Sequence, residues 1–298
     1  VMAPALVGRA AGGGMNTTVV CAEGWPVDVS ARYYEFGSWR GVSLPLKGAV
    51  AVGMSLDGTL EAAKFDLAGG QGVLNIPEPF AQSIAVESVV LKGRYESAEK
   101  RLDIDELTLD LGAKGSVMLP APLSHRMPLS ALSIKGRYLG ETLRLEVTKM
   151  DIDLGGPKAS VTAVVDGFTG IQDLAGASTS IDIKGSLLDL PIDRLRSYWP
   201  AALGADARRW TVARLSDGVI HQIQAEMRLW SNDGAFELVS VNGEMIASGV
   251  SVDYLPPMPT VRNIDAKMTF DEKSFNIFIS RGESQNLKIG RASGRERV

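Results

Sequence analysis

The sequence has few of the residues on which catalytic and metal sites are built. Cys21 is the only cysteine among 298 residues, which excludes an intrachain disulfide and a cysteine-based metal cage. His125 and His221 are the only histidines, and lone histidines are usually structural. The motifs of nucleophile elbows, zinc proteases, phosphate-binding loops and EF-hands do not occur. We therefore predict no catalytic residue, no metal site, no cofactor and no enzymatic activity.

Long apolar runs and an excess of positive charge are also lacking. The formal net charge is -4, so a nucleic-acid partner is not indicated. No stretch reaches the roughly 18–20 apolar residues that span a bilayer. The chain begins at Val1 rather than Met, and residues 291–298 carry three arginines and break the preceding alternation. We expect a fragment whose membrane anchor is missing and whose residues 291–298 are a non-native tail.

The most informative feature that is present is an internal repeat. Residues 91–112 align without a gap with residues 134–155, and nine of the 22 positions are identical. An aliphatic residue followed by Lys-Gly occurs at 46–48, 91–93, 134–136 and 183–185, spaced by 45, 43 and 49 residues. A near-constant period of this size indicates a repeat architecture.

Within each copy the apolar residues alternate with polar residues, as in a half-buried strand. The apolar phase slips by one residue at Asp105-Glu106, and it slips again at the equivalent Thr148-Lys149. A one-residue slip turns the apolar side of a strand over unless a bulge or a short turn restores it. We predict a designed kink, a bulge or a short turn, at both places.

Alternating segments and turn signals continue through most of the chain. Turns are predicted at 57–58, 232–234 and 271–273, and at Asn242-Gly243, because Asn-Gly and Asp-Gly favour tight hairpins. The fold class is therefore mainly β, a long antiparallel meander of repeated strand units that forms a curved, groove-like sheet. Alternation is lost near 191–216, where Pro191, Leu195 and Trp210 indicate two short helices.

These patterns divide the chain into five segments. They are a partial N-terminal repeat or irregular region at 1–45, repeated β-units with a period of about 43–49 at 46–189, a short helical insert at 190–218, further β-hairpins at 219–290 and the tail at 291–298.

A sheet with one apolar face and few helices must cover that face. Burying one aliphatic side chain contributes roughly 1.5–3 kcal/mol. The free energy lost by leaving dozens of them exposed to water would exceed the stability of a domain. A second sheet, closure of the sheet on itself or a bound apolar ligand could each provide the cover. A curved trough would accept acyl chains. The predicted lining residues are Leu102, Ile104, Leu145, Val147, Ile183, Ile223, Met227, Leu229 and Ile277.

Polar and aromatic residues near the helices have two interpretations each. Trp199 and Trp210 pack the helices against the sheet or touch a membrane surface, and packing is favoured. Arg208, Arg209 and Arg214 form a solvated helix face or contact phosphate headgroups, and the solvated face is favoured. The carboxylates in the strands, such as Asp103 and Asp151, also fit a solvated face best.

Two stretches resemble a known family. Residues 194–229 contain Tyr198 and Pro200, then the Arg209-Trp210 pair, then Gly218; residues 248–282 contain a strand, a proline-rich corner at 256–259 and a hairpin. This pattern resembles the AsmA-like superfamily of Gram-negative envelope proteins, in particular the central region of its large YhdP-type members. The resemblance covers about residues 60–285.

The resemblance implies a function as well as a fold. AsmA-like proteins are similar to bridge-type lipid-transfer proteins made of repeating β-grooves, held in the inner membrane by an N-terminal helix. It implies a periplasmic lipid-transfer or outer-membrane biogenesis protein, anchored in the inner membrane when full-length. Its partners would be phospholipid or another acyl lipid, the membrane and possible envelope proteins. The alternatives are a structural β-repeat with a closed core and an envelope interaction module that pairs through an edge strand.

Overall fold

The structure is a computed structural model. It describes residues 6–11, 14–26, 42–55, 57, 59–76, 80–119, 123–170, 178–202, 204–232, 235–254, 257–285, 287–290 and 292–297. Strand accounts for 69% and helix for 8%, which confirms the mainly β fold with few short helices.

Strands follow one another along almost the whole chain. Numbered in chain order they are β1 (Leu6–Ala11), β2 (Gly14–Pro26), β3 (Val42–Ser43), β4 (Pro45–Ser55), β5 (Leu60–Gly69), β6 (Gly72–Ile76), β7 (Gln82–Val86), β8 (Ser88–Glu96), β9 (Arg101–Asp110), β10 (Ser116–Met118), β11 (Arg126–Pro128), β12 (Ala131–Leu139), β13 (Arg144–Asp153), β14 (Lys158–Asp166), β15 (Thr179–Pro191), β16 (Leu215–Ser216), β17 (Val219–Asn232), β18 (Ala235–Val252), β19 (Val261–Asp271), β20 (Ser274–Ser284), β21 (Leu287–Ile289) and β22 (Ala292–Arg297). A 3-10 turn (Ile192–Arg194) leads into helix α1 (Leu195–Tyr198), and helix α2 follows (Ala205–Arg214).

Most of these strands form one antiparallel sheet of 17 strands. The long strands pair in the order β1-β2-β4-β5-β8-β9-β12-β13-β14-β15-β17-β18-β19-β20-β22, so each pairs with the next long strand in the chain. This order confirms the predicted meander. Strands β1 and β2, in the region predicted to be a partial repeat or irregular, also lie in this sheet. So does β22, in the predicted tail.

The two ends of the strands carry different connections. At one end, the connection end, lie a three-stranded sheet (β3, β6, β7), the β10–β11 hairpin and the helices, which belong to the described parts of residues 42–44, 70–87, 111–130 and 192–218. At the opposite end, the turn end, β8–β9, β12–β13 and β19–β20 are joined by two to four residues.

The predicted kinks are confirmed, and they are β-bulges rather than short turns. The register shifts between Lys92 and Gly93, where Asp105 is the extra residue of β9, and between Lys135 and Gly136, where Thr148 is the extra residue of β13. A β-carbon on Gly93 would lie 2.2 Å from the Asp103 carbonyl oxygen. Bulges need such close backbone approach, which explains the Lys-Gly pairs at 92–93 and 135–136.

The turn predicted at Asn242-Gly243 is wrong. Strand β18 runs through both residues without interruption. A β-carbon on Gly243 would lie 2.5 Å from the ring of Phe270 and 2.5 Å from the Gln224 carbonyl oxygen. The glycine therefore admits an aromatic side chain from the neighbouring strand instead of making a turn.

The turn predicted at 271–273 is confirmed, because the Asp271 Oδ1 accepts hydrogen bonds from the amides of Lys273 (2.8 Å) and Ser274 (2.7 Å). Three other predicted features lie partly outside the described residues. They are the turn at 57–58 (Gly58), the turn at 232–234 (residues 233–234) and the proline-rich corner (residues 255–256 beside and within it).

Most of the buried apolar side chains lie at the connection end in two clusters, and Leu67, Val165 and Ile181 are buried outside them. The helical cluster contains Leu154, Leu190, Ile192, Leu195, Tyr198, Ile220, Ala247, Val250 and Ile264. The second cluster contains Leu44, Ile84, Val86 and Leu111 beneath the three-stranded sheet. Pro191 is the last residue of β15 and precedes the helical turn rather than opening it, a difference of one position from the prediction.

Candidate functional site

The pairing register assigns side chains to the two faces of the main sheet. Directly opposed residues on antiparallel strands point to the same face, so a chain of opposed pairs forms a row across the sheet. Four such rows are mainly apolar and lie side by side between the turn end and the connection end. We call the surface that they form the apolar face.

The rows are numbered from the turn end. Row 1 is Val52, Ala63, Tyr95, Leu102, Tyr138, Leu145, Val165, Ile181, Leu229, Leu238. Row 2 is Val50, Phe65, Gly93, Ile104, Gly136, Val147, Ala163, Ile183, Met227, Val241. Row 3 is Leu67, Leu91, Leu107, Ile134, Met150, Val161, Gly185, Ala225, Gly243, Phe270, Phe275. Row 4 is Val89, Leu109, Leu132, Ile152, Ala159, Leu187, Ile223, Met245, Met268, Ile277.

All nine predicted lining residues lie on this one face. Leu102, Leu145 and Leu229 belong to row 1, Ile104, Val147, Ile183 and Met227 to row 2, and Ile223 and Ile277 to row 4. Each of the nine is partly exposed, so the protein does not seal them completely.

The closure of the apolar face differs from row to row. Ile223 of row 4 packs against the helical cluster, as do Ile152, Leu187 and Met245 of the same row. Neither buried cluster contains a residue of rows 1 or 2, although Val165 and Ile181 of row 1 and Gly93 of row 2 are buried. The other residues of these two rows are exposed at least in part, so the open part of the face lies toward the turn end.

Sequence reasoning did not identify the aromatic and glycine positions of this face. Phe65 lies opposite Gly93, and a β-carbon on that glycine would come within 2.7 Å of the Phe65 ring. Tyr138 packs edge-on against Phe168 with ring centroids 5.7 Å apart. The alternation marks Phe65 and Tyr138 as residues of one face. Only the cross-strand register shows that the Phe65 ring covers Gly93.

The opposite face of the sheet is charged. Ion pairs connect neighbouring strands along it: Arg94–Asp103 (2.9 Å), Arg137–Glu146 (2.7 Å), Arg144–Asp166 (2.7 Å), Arg228–Asp182 (2.6 Å), Lys184–Glu226 (3.0 Å) and Lys267–Glu244 (2.7 Å). The Arg144 and Arg137 guanidinium groups both donate to the Glu146 carboxylate and lower its pKa. Hydrogen bonding from Lys149 likewise lowers the pKa of Asp151. These carboxylates are partnered on a solvated face, as predicted.

An open cavity of about 670 Å³ also lies on the charged face, over β14 to β20. Its lining includes Thr162, Lys184, Glu226, Asn242 and Asn276. Gly185, Ala225 and Gly243 of row 3, which carry little or no side chain, also belong to the lining. Its polar lining does not suit an acyl chain, so we do not include it in the candidate site.

One histidine ties a loop to a helix, and the other joins two neighbouring strands. The His125 ring Nε2 lies 2.9 Å from the carbonyl oxygen of Ser197, which ties the loop before β11 to helix α1. The His221 Nε2 lies 2.6 Å from the Ser248 hydroxyl on the neighbouring strand. Within the described ranges, no group of three or more His, Cys, Asp and Glu side chains is placed to hold a metal ion.

The tip of the β17–β18 hairpin at the turn end is a second unusual surface. Pairing of β18 with β19 begins at Asn242, so residues 235–241 pair only with β17 among the described strands. On the edge of β18 that β19 does not cover, the Glu272 carboxylate accepts a hydrogen bond from the Val241 amide (3.1 Å). Trp230, Phe236, Leu238 and Val239 are exposed around this tip.

Comparison of the chain with family models, with curated proteins and with solved structures finds no match. Nor does any helix in the described ranges have the length and apolar character that crossing a bilayer requires. Arguments about function therefore rest on the two faces of the sheet and on the surfaces at its ends.

Proposed function

We propose that the protein binds lipid acyl chains on the apolar face and passes lipid along it, as a non-enzymatic component of envelope biogenesis. The observation that carries this proposal is the length of rows 1 and 2. Each runs across ten strands. All the aliphatic side chains of row 2, such as Ile104, Val147 and Ile183, are partly exposed, and in row 1 all but Val165 and Ile181 are exposed at least in part. A monomeric protein rarely leaves so long an apolar surface without a ligand or partner.

The setting that we propose follows the resemblance to AsmA-like proteins. The site would lie in the periplasm, in a longer chain anchored in the inner membrane, and the ligand would be phospholipid or another acyl lipid. The mechanism is passive. Acyl chains lie against the rows while headgroups stay in water, and the lipid slides because each aliphatic contact is weak and resembles the next one.

Charge placed on the apolar face tests the proposal. Val147→Asp and Ile104→Asp put a carboxylate into row 2, where an acyl chain would have to desolvate it, so we expect both to reduce lipid transfer strongly. Thr162→Asp is the matched control, because Thr162 is exposed on the charged face and pairs with Lys184.

The measurement is transfer of a fluorescent phospholipid between vesicles, together with native mass spectrometry for co-purified lipid. Circular dichroism and urea midpoints must show that the variants are folded. Folded row 2 variants that carry lipid as well as the wild type and Thr162→Asp would contradict the proposal.

The free edge of β18 favours a second candidate function, an interaction module. Residues 235–241 offer backbone groups to an added strand on the side that β19 leaves uncovered. Edge strands of this kind pair with extended segments of other chains. Natural edges are often blunted by charge, and here Glu272 protects only the Val241 amide.

Sedimentation velocity over a concentration series tests edge pairing between copies. A dissociable dimer that Val239→Lys abolishes would favour the interaction module, because a lysine at that exposed position opposes edge-to-edge pairing. A monomer at every concentration would rule out pairing between copies at this edge.

A further inference from the structure

Two open cavities follow one another along strands β18 to β20. The first has a volume of about 670 Å³ and includes Asn276, and the second, nearer the connection end, has a volume of about 610 Å³ and includes Phe278. Residues two positions apart in a strand lie about 7 Å from each other on the same face, so the cavities adjoin. We call them together the polar groove, whose lining residues lie in 160–162, 184–186, 224–226, 242–248, 265–271 and 276–280 and at 293.

The lining shows that the polar groove opens on the charged face of the sheet. The first cavity is lined by the residues on either side of Gly185, Ala225 and Gly243 of row 3, and side chains alternate between the faces along a strand. None of the described residues of rows 2 and 4 lines this cavity. Lys267 of the second cavity pairs with Glu244 of the first (2.7 Å), so both cavities lie on one face.

The charged side chains that line the polar groove already have partners within the protein. Ion pairs neutralise most of them: Lys184–Glu226 (3.0 Å), Lys267–Glu244 (2.7 Å) and Arg281–Asp265 (3.0 Å). The Asp271 carboxylate accepts hydrogen bonds from the amides of the β19–β20 turn. A charged ligand would lose its hydration without gaining a free opposite charge, so the polar groove favours a neutral ligand.

Neutral polar side chains of the first cavity remain available for a ligand. Six of them make no hydrogen bond to another described residue: Thr162, Ser186, Gln224, Asn242, Thr269 and Asn276. Each amide offers a carbonyl oxygen and an amino group, and each hydroxyl both donates and accepts. Gln224 lies directly opposite Ser186, and Thr269 lies opposite Asn276. Such a lining matches a ligand whose own groups also donate and accept, as hydroxyl groups do.

The second cavity adds an apolar wall to this polar lining. Phe278 is 51% exposed and Ile246 is 40% exposed, and they lie on either side of Lys267 in one row across the sheet. Phe278 follows Asn276 on the same face of β20. A ligand that fills both cavities therefore offers hydroxyl groups to the first and an apolar surface to the second.

We propose that the polar groove binds a neutral oligosaccharide. Sugar rings carry hydroxyl groups at their edges, and the C–H groups on their faces pack against aromatic rings. The hydroxyl groups bind the amides of Gln224, Asn242 and Asn276, and one ring stacks on Phe278. An extended peptide fits less well, because peptides of this kind add a strand to a free sheet edge, whereas β17, β18 and β19 are paired on both sides here.

Isothermal titration calorimetry on the whole chain tests the proposal. The neutral probes are cellohexaose, maltohexaose and chitohexaose, and the anionic probe is the hexamer of galacturonic acid. We expect at least one neutral probe to bind, and the anionic probe to bind at least about tenfold more weakly than the tightest neutral one, because its carboxylates find no free cation. Failure of all three neutral probes to bind, or equal binding of the anionic probe, would overturn the proposal.

Variants of the lining locate the bound sugar. Asn276→Ala and Gln224→Ala each remove an amide and should weaken binding about threefold to tenfold. Phe278→Ala removes the stacking surface and should weaken binding about fivefold or more. Phe236→Ala is the matched control, because Phe236 is exposed at the hairpin tip outside the polar groove, and it should bind like the wild type.

Wild-type affinity in the three lining variants, or a loss of affinity in the control, would contradict the proposal. Gln224 and Phe278 are exposed and outside the buried clusters, so their variants should keep the wild-type urea midpoint. A neutral peptide of alternating glycine and serine serves as a further probe. If it binds as tightly as the hexasaccharides, the polar groove is a peptide site and the proposal is wrong.

This inference goes beyond the proposed lipid transfer and does not depend on it, because the two sites lie on opposite faces of the sheet. Val147→Asp should lose lipid transfer and keep oligosaccharide binding, whereas Asn276→Ala should do the reverse. A protein that transfers lipid but binds no oligosaccharide would remove the oligosaccharide proposal alone. A protein that binds an oligosaccharide but never carries lipid would remove the proposed function alone.

Discussion

The two ends of the sheet differ in how they treat apolar side chains. At the connection end, the helices and short strands cover the sheet, and Leu190 and Leu195 are buried in the helical cluster. At the turn end the connections are mostly short, and Phe236 and Leu238 remain exposed. The repeated strands therefore bury few of their own apolar side chains, Leu67, Val165 and Ile181 among them. Most of the burial depends on the segments inserted between the strands.

The largest expected effect comes from a pair of substitutions in one strand. Leu190 and Ile183 both belong to β15, but Leu190 is 2% exposed in the helical cluster and Ile183 is partly exposed in row 2. Leu190→Ala should lower the free energy of unfolding by about 2–5 kcal/mol, because it leaves a cavity. Ile183→Ala should cost about 1–2 kcal/mol, because part of that side chain is already in water.

Urea denaturation of both variants measures this difference. Equal losses would mean that row 2 is as well covered as the helical cluster, and the contrast between the two regions would disappear. The same result would also weaken the proposal that row 2 is open to acyl chains.

A second pair tests the bulges that interrupt the strands. Gly93 and Gly185 both follow a lysine in the repeated tag, but only Gly93 lies at a register shift. Gly93→Ala should lower the free energy of unfolding by about 1–3 kcal/mol, because its β-carbon would meet the Asp103 backbone. At Gly185 the nearest atom is the Val161 Cγ2 at 3.3 Å, a flexible side-chain atom.

We expect Gly185→Ala to change stability by less than about 1 kcal/mol, because the small clash is offset by the restricted unfolded chain. Thermal unfolding of the two variants provides the measurement. A loss for Gly185→Ala as large as that for Gly93→Ala would show that the bulge is not what requires the glycine.

The smallest expected effect is a pH dependence on the charged face. The pKa of Glu146 is lowered from its ordinary 4.5 by Arg144 and Arg137, so its ionised form is favoured in the folded state. This contribution to stability is present above pH 4.5 and is lost as the pH falls through the lowered pKa. Glu146→Gln should cost at most about 1 kcal/mol at neutral pH, the range of exposed ion pairs.

The difference between the wild type and Glu146→Gln should therefore shrink as the pH falls below 4.5. Urea midpoints measured for both proteins across that range provide the check. A difference that stays constant down to the lowest pH would show that the carboxylate charge does not contribute.

The sequence was sufficient for those features that depend on neighbours in the chain. Alternation placed Ile104 and Val147 on one face, and the phase slip located the bulges at Asp105 and Thr148. Features that depend on distant partners were not predictable. Gly243 was assigned to a turn because the ring that requires it, Phe270, is 27 positions further along the chain. The cover over β8 and β9 was missed because β3, β6, β7 and β10 have five residues or fewer, too few for a clear periodicity.

The recurrence of a bulge in successive strand pairs has an evolutionary consequence. Each long strand pairs with the long strands before and after it, and the bulge at Lys92-Gly93 occurs again at Lys135-Gly136. Duplicating the coding sequence of one such repeat would lengthen the sheet without requiring a new pairing strand elsewhere, and deleting one repeat would shorten the sheet. Homologous chains should therefore vary in size by whole units of about 43 residues more readily than by a few residues at a time.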